Sequence, residues 1–343
     1  MSKDVLKMSI RYLIKRLIYL IGIVIFITLF TFIILRISPG DPVDLMLQGE
    51  EEITQEDIDR MTEQLGLDKP FHIQLYEFVS GIARGDLGYS FYMKRPVWDL
   101  IKERFPATAE LALAAMFISF VIGIPVGIFA AVRHNSLWDR LIMGVNFLGI
   151  SMPAFWFAIL LMLFFSVYLG ILPTMGRSVY GMYPTPITGF LVFDSLLTLN
   201  GKALITSLRH LILPALALGM GYSAIVARIL RSSMLEILSQ DYINVARSKG
   251  LKKKRVVYRH ALRNALIPMI TVAGLEAGSR LGGSIVIETV FSWPGLGSLI
   301  RGAIFARDYP VVQAGVIFFA LVFVIVNLIV DIAYTLVDPR IRW

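Results

Sequence analysis

The sequence predicts an all-α membrane protein with six transmembrane helices, and three observations predict it. Hydrophobic residues make up 56% of the chain and charged residues 17%, with a mean hydropathy of +0.70, well above an ordinary water-soluble domain. Six apolar runs are long enough, or nearly so, to meet the roughly 20 residues that a helix needs to cross about 30 Å of hydrocarbon. The alternating pattern of barrel strands is absent, and lipid allows the backbone to satisfy itself only as helix or closed barrel.

The runs lie at Tyr12–Leu35, Thr108–Val132, Leu141–Leu169, Leu211–Ala227, Ala265–Val290 and Val311–Val337. The first is too long for a cleavable signal and lacks its small-residue exit site, so it is read as span one. Pro125, Pro153, Pro214 and Pro268 fall in spans two to five. Each removes an intrahelical hydrogen bond and invites a kink. Kinks suit a gated pathway, although proline is common in ordinary spans too.

Span five alone carries charges at its centre. Gly274, Gly278 and Gly282 recur every four residues as a small-residue stripe for close helix packing. Glu276 and Arg280 fall on roughly the opposite face and are spaced to pair. Charges at mid-membrane are costly and usually face an interior or a watery cavity, so the pair is a candidate for the translocation path; a salt bridge locking two helices is the equal alternative. Asn327 and Asp331 raise the same question in the last span, with Asp331 near its end and suited to a solvated or packing role.

Lys and Arg accumulate in cytoplasmic loops. They cluster before span one (Lys3, Lys7, Arg11, Lys15, Arg16), between spans two and three (Arg133, Arg140), between spans four and five (Arg228 through Arg263) and at the end (Arg340, Arg342). All four places share one side of a six-span topology, which puts both termini in the cytoplasm. The run Lys252-Lys253-Lys254-Arg255 is read as part of this asymmetry and not as a nucleic-acid patch.

Three segments are expected: 1–35 as cytoplasmic N-terminus and span one, 36–105 as an acid-rich extracytoplasmic helical element, and 106–343 as the core of spans two to six. In the outer element Thr54 and Asp57 form a capping box, Ile58, Met61 and Leu65 share a face, and Gly66 is a stop. Pro70 can then start a second helix with Phe71, Leu75, Phe78 and Ile82 on its apolar side. Gly170–Leu208 is expected to be an outer loop in which Phe190–Leu199 is too short to span.

The chain has no cysteine, and His72, His134, His210 and His260 lack metal-ligand spacing. No phosphate-binding Gly-x-x-x-x-Gly-Lys-Ser/Thr loop occurs, so the chain is not an ATP-hydrolysing subunit. A catalytic role is not supported, and no cofactor or metal is expected on this chain.

The segment 236–264 is polar yet helix-compatible, with a glycine turn at Gly250 between a first helix and a second, basic one, and it has the size to dock into a groove on another protein. Asp241-Tyr242-Ile243-Asn244-Val245-Ala246-Arg247-Ser248-Lys249-Gly250-Leu251, followed by His260-Ala261-Leu262-Arg263-Asn264-Ala265-Leu266-Ile267-Pro268, resembles the EAA loop of binding-protein-dependent ABC importer permeases. The resemblance is to the dipeptide/oligopeptide/nickel family, on its first-permease (DppB/OppB-like) side. Pro39-Gly40-Asp41-Pro42, Gly85-Asp86-Leu87-Gly88, Arg95-Pro96-Val97, Pro106-Ala107-Thr108-Ala109-Glu110-Leu111, Phe291-Ser292-Trp293-Pro294-Gly295-Leu296-Gly297 and Asp338-Pro339-Arg340 follow the family's order and spacing. The general motif's Glu-Ala-Ala is Asn244-Val245-Ala246 here.

The resemblance implies a type I ABC importer transmembrane domain in the inner membrane, forming a heterodimer with a second homologous permease. It implies two cytoplasmic ABC ATPases that use ATP and Mg, an extracytoplasmic substrate-binding protein, and no nucleic acid. Asp241, Tyr242, Asn244, Ala246, Arg247, Lys249, Gly250 and Leu251 would form the ATPase-coupling helix and its turn. Di- or oligopeptides are the implied cargo, with nickel or another small solute as the alternative. A stand-alone secondary transporter would need an inverted repeat and mid-membrane coupling carboxylates. An intramembrane protease would need a nucleophile and base within the spans.

Overall fold

The computed structural model describes residues 3–37, Glu56, Asp59, Thr62, Glu63, 68–269, Gly274 and 284–337. The capping box at Thr54 and Asp57, the stop at Gly66, and Gly278, Gly282, Glu276 and Arg280 of span five lie outside the described residues, as does the terminal Asp338-Pro339-Arg340 motif.

Helices dominate. In chain order they are α1 (Lys3–Ile37), α2 (Phe71–Ala83), α3 (Val97–Val132), α4 (Leu137–Ser151), α5 (Ala154–Met162), α6 (Leu191–Leu197), α7 (Gly201–Leu238), α8 (Asp241–Ser248), α9 (Lys253–Arg255), α10 (Ile285–Val290), α11 (Leu296–Phe305) and α12 (Tyr309–Val337). A π-helical turn, Leu163–Tyr168, continues α5, and another, Val256–Ala261, continues α9 into helical residues 262–269. The only sheet among the described residues pairs β1 (Tyr89–Ser90) with β2 (Arg95–Pro96), antiparallel. Val97–Val132, Gly201–Leu238 and Tyr309–Val330 are long and apolar enough to cross a membrane, and Ile21–Ile37 and Ala154–Tyr168 are shorter apolar helices within runs one and three.

Two helices extend well beyond the apolar runs that predicted them. α3 begins at Val97 and α7 at Gly201, and α7 ends at Leu238, inside the segment 236–264. Of the four prolines, Pro153 breaks its helix. Met152 is extended at the end of α4, and Pro153 then opens α5, as the residue before proline disfavours helical geometry. Pro214 stays inside α7.

The chain forms two compact units. The first comprises Met1–Pro106 with Gly295–Val324. Its core joins Val97, Leu100 and Ile101 of α3 to Leu296 and Leu299 of α11 and Val311 of α12. The apolar side expected of the helix after Pro70 is used: Phe78 stacks on buried Phe32 of α1 at 5.5 Å and Phe71 meets the same ring edge-on at 5.3 Å. Arg36 lies 3.8 Å over Phe32 and donates to Gln74 Oε1. The β1–β2 hairpin is fixed by the Ser90 hydroxyl, which donates to the buried carboxylate of Asp308 and accepts the Met93 N–H.

The second unit, Ala107–Pro294 with Ile325–Arg342, is built on the crossing of α3 and α7. Glycines set its closeness. A Cβ on Gly123 would lie 2.7 Å from the Ser223 carbonyl oxygen, and one on Gly219 would lie 2.6 Å from that of Ala115, so only hydrogen fits there. Gly274 is packed as closely, since a Cβ there would overlap the Val330 side chain. Of the expected stripe, it is the one glycine among the described residues.

At one end of this unit, polar groups tie the 170–200 segment to the helices. Glu110 accepts from the Arg177 guanidinium and from the Val192 N–H, and both charged side chains are buried. Thr108 donates to fully buried Glu288, and Trp293 Nε1 donates to the Ala107 carbonyl at 2.8 Å. Asp194 of α6 is buried and accepts the N–H groups of Ile187, Thr188 and Gly189 and the Thr188 hydroxyl.

Burial of Asp194 opposes its ionisation, but the hydrogen bonds from Thr188, Ile187 and Gly189 outweigh it and hold the carboxyl below the ordinary value. A lowered carboxylate stabilises the fold at neutral pH, and the contribution is lost as pH falls through the lowered value. Asp194→Asn is therefore expected to reduce amide-exchange protection at Ile187, Thr188 and Gly189 by roughly tenfold or more, given about 1.5–3 kcal/mol per hydrogen bond to a charged group. Protection in the variant should lack the acid-dependent step of the unsubstituted protein. Equal protection factors in both proteins at neutral pH would refute this role.

Candidate coupling site

α8 is short, and its ends are well defined. Asp241 occupies the first turn and Arg247 the last, each placed favourably for the helix dipole. Gly250 has φ +75. Its N–H donates to the Arg247 carbonyl, and the Leu251 N–H reaches the Ala246 carbonyl at 3.4 Å, the paired closure that favours glycine just past a helix end.

One face of α8 is buried and the rest is open. Ile243 and Ala246 are buried, whereas Asp241, Tyr242, Asn244, Val245, Arg247, Ser248, Lys249 and Gly250 are exposed and Leu251 is half-buried. Exposure reaches 52% at Val245 and 44% at Tyr242, which leaves apolar surface on the outer face. Of the eight site residues assigned from sequence, six are exposed and Leu251 is half-buried, whereas Ala246 faces inward.

Beneath α8, Ile243 and Ala246 enter a core with Ile128 and Ala131 at the end of α3, Leu230 and Met234 near the end of α7, and Val256, Val257, Ala261 and Ala265 of the returning helix. A second tie runs outside that core, where Asn264 Nδ2 donates to the Tyr242 hydroxyl at 2.9 Å. The helix following Gly250 differs in detail from the simple basic helix expected. It starts as the three-residue α9 and passes through a π-helical turn, which places Val256 and Val257 inward and leaves Lys252, Lys253, Lys254 and Arg255 exposed.

α4 is fastened to α7 close by. Asp139, buried near the start of α4, accepts Arg231 Nε at 2.8 Å and Nη2 at 2.7 Å, a two-pronged pairing. His134 Nδ1 lies 3.4 Å from the same carboxylate, and the Ser136 hydroxyl caps α4 by accepting the Asp139 N–H. Sequence reasoning missed this clamp, and it missed the Glu110–Arg177 pair and the Thr108–Glu288 bond. The available signal was a charged residue at the edge of an apolar run facing a charge in a distant segment, which one sequence cannot pair.

Nothing in this arrangement does covalent chemistry. Among the described residues no three His, Asp or Glu side chains are grouped to hold a metal ion. The arrangement can transmit displacement: a force on the exposed face of α8 acts through a shared core on the ends of two long helices.

Comparison with known proteins agrees with this reading of the fold. The profile of the binding-protein-dependent transport system inner membrane component matches residues 123–343, and the profile of its N-terminal part matches residues 9–112. The chain is 44% identical over 331 residues to the di/tripeptide transport system permease protein DppB of Pseudomonas aeruginosa, covering 96% of this chain and 98% of that protein. It is 43% identical over 336 residues to the dipeptide transport system permease protein DppB of Escherichia coli, covering 97% and 99%. The glutathione transport system permease protein GsiC of Escherichia coli is 40% identical over 334 residues, with coverage of 97% and 99%. Among solved structures, an inward-facing MetNI methionine ABC transporter aligns at a TM-score of 0.53 and 17% identity, covering 70% of this chain and 96% of that one, a likeness of fold. The chain belongs to the binding-protein-dependent transport system inner membrane components, as a DppB-like permease subunit of an ABC importer and not an enzyme.

Proposed function

We propose that this chain forms half of the translocation pathway of a peptide importer, and that α8 with the turn at Gly250 couples it to ATPase subunits. The observation that carries the reading is the division of α8 into an exposed face and a buried face that shares a core with the ends of α3 and α7. A partner that moves α8 moves those helices. The mode is that of a short helix seated in a partner's groove.

In this reading the chain works as a heterodimer with a second homologous permease, above two ATPases that bind ATP and Mg. A substrate-binding protein delivers cargo from the extracytoplasmic side, where 36–105 and the 170–200 segment stand. The cargo is a short peptide, supported by relatives named for dipeptide, di/tripeptide and glutathione transport. This chain holds no cofactor. Both termini and α8 lie on the cytoplasmic side, supported by the positions of Lys and Arg along the sequence.

Gly250 offers a direct test. It is exposed, a Cβ there would meet nothing within 4 Å, and its φ is +75, a conformation that costs other residues roughly 1–2 kcal/mol. Gly250→Arg is expected to leave the chain inserted in the membrane and to lower both peptide uptake and peptide-stimulated ATP hydrolysis by roughly tenfold or more, as that strain distorts the turn. Unaltered uptake would remove α8 from the coupling path.

Orientation is tested separately, and the absence of native cysteine makes it clean. Tyr180 is 99% exposed and Ser248 is exposed. With the outer membrane permeabilised, Tyr180→Cys is expected to react with a membrane-impermeant maleimide, and Ser248→Cys only after the inner membrane is opened. The reverse pattern would invert the topology.

Glu276 and Arg280 are carried forward as pathway residues of span five. Glu276→Gln and Arg280→Gln are each expected to lower peptide uptake while leaving the amount of assembled complex unchanged. Normal transport in both variants would exclude them from the path.

A further inference from the structure

Behind α8 lies a cavity of about 600 Å³, within the size range of small-molecule sites. Its walls are mostly aliphatic, with Val132 from the end of α3, Leu235 and Leu238 from α7, and Leu251 and Val256 from the segment after α8, and Ser239 adds a hydroxyl. Its charged lining consists of Arg247 and Lys253, both exposed. No acidic side chain lines the space, and among the described residues neither cation has a carboxylate partner. Two like charges bordering such walls favour an occupant with an alkyl body and an anionic head.

We propose that this cavity binds an anionic amphiphile, a carboxylate or phosphate on an alkyl chain. The head lies between Arg247 and Lys253, and the tail lies among Leu235, Leu238 and Val256. Two sources share this chemistry, a free fatty acid and an anionic phospholipid of the adjoining leaflet. The exposed run Lys252–Arg255 next to the cavity concentrates either one by attraction to negative charge. Because the lining is drawn from α3, α7 and the α8 segment, an occupant braces the junction through which α8 acts. That regulatory consequence rests on the function proposed above, whereas the binding site itself does not.

The test uses the whole transporter, permeases and ATPases together, and a photoactivatable dodecanoate whose crosslinks are mapped by mass spectrometry. Crosslinks are expected to concentrate on 131–132, 235–239 and 251–257 and to be competed by unlabelled dodecanoate. Lys253→Gln is expected to weaken labelling roughly tenfold, the loss of one charge-assisted contact. Val132→Trp, which fills the space from its edge and keeps both cations, is expected to abolish it. Competition by phosphatidylglycerol nanodiscs assigns the site to the membrane lipid, and competition by free dodecanoate alone assigns it to a fatty acid. Labelling spread over the apolar faces of the helices, unchanged in both variants, would overturn the proposal. So would labelling found only when the ATPases are absent, since a partner would then fill the cavity. Labelling is read independently of uptake, so a failure of the coupling role leaves this result standing.

Discussion

The organisation of the second unit depends on a small apolar core, in which two residues of α8, Ile243 and Ala246, meet the ends of α3 and α7. An isolated helix of eight residues is unstable in water, because nucleation costs more than so few hydrogen bonds return. Burying one isoleucine contributes about 1.5–3 kcal/mol, and the glycine closure at Gly250 satisfies carbonyls that would otherwise be open. α8 is thus held by its floor and its end. Its other residues are left free to be exposed without loss of the helix.

That core matters because the helices attached to it are long. From Ala107 to Ala131 along α3 is roughly 36 Å at 1.5 Å per residue, comparable to the hydrocarbon thickness. The Thr108, Glu110 and Trp293 contacts hold one end of this stretch, and the core below α8 holds the other. Between them, Gly123, Gly127 and Gly219 let the α3 and α7 backbones touch. Close backbone contact resists sliding, so the two helices behave as one strut. Asp139 and Arg231 extend the strut to α4. An interior this tightly packed transmits strain in place of absorbing it.

Much of this was legible in the sequence, for a physical reason that also sets the limit. Hydrocarbon penalises every polar group, so the apolar runs had to be visible, and among the described residues helices cover runs one to four and run six. The runs mark only what lies in hydrocarbon, however. The α3 residues from Val97 and the α7 residues from Gly201 continue the same helices through stretches interspersed with charged and polar residues, where hydropathy gives no spanning signal. The place of α8 was legible in the polar, helix-compatible segment ending at Gly250, but its buried face was not: Ala246 was grouped with the coupling residues, and the structure turns it inward with Ile243. The pairings of Glu110 with Arg177 and Asp139 with Arg231 were not, because their sequence separations of 67 and 92 residues are bridged only by the fold. The break at Met152 is an intermediate case: Pro153 announced a perturbation, but only the extended backbone before it distinguishes a break from the tolerated Pro214.

The departure of this chain from the general Glu-Ala-Ala motif acquires a meaning from the same geometry. Asn244 replaces the acidic residue and stands on the exposed face, between Tyr242 and Val245. With the glutamate gone, docking in the proposed reading cannot rest on a carboxylate at that position. What the face offers in its place is apolar area from Val245 and Tyr242, the amide of Asn244, and a cation at Lys249. The Tyr242 ring is oriented because its hydroxyl accepts from Asn264, which reduces the entropy that docking would otherwise cost. A partner groove suited to this helix is therefore apolar at its centre and acidic toward the Gly250 end. In the proposed reading, the bond from Asn264 to Tyr242 also ties the returning helix to the docking face of α8.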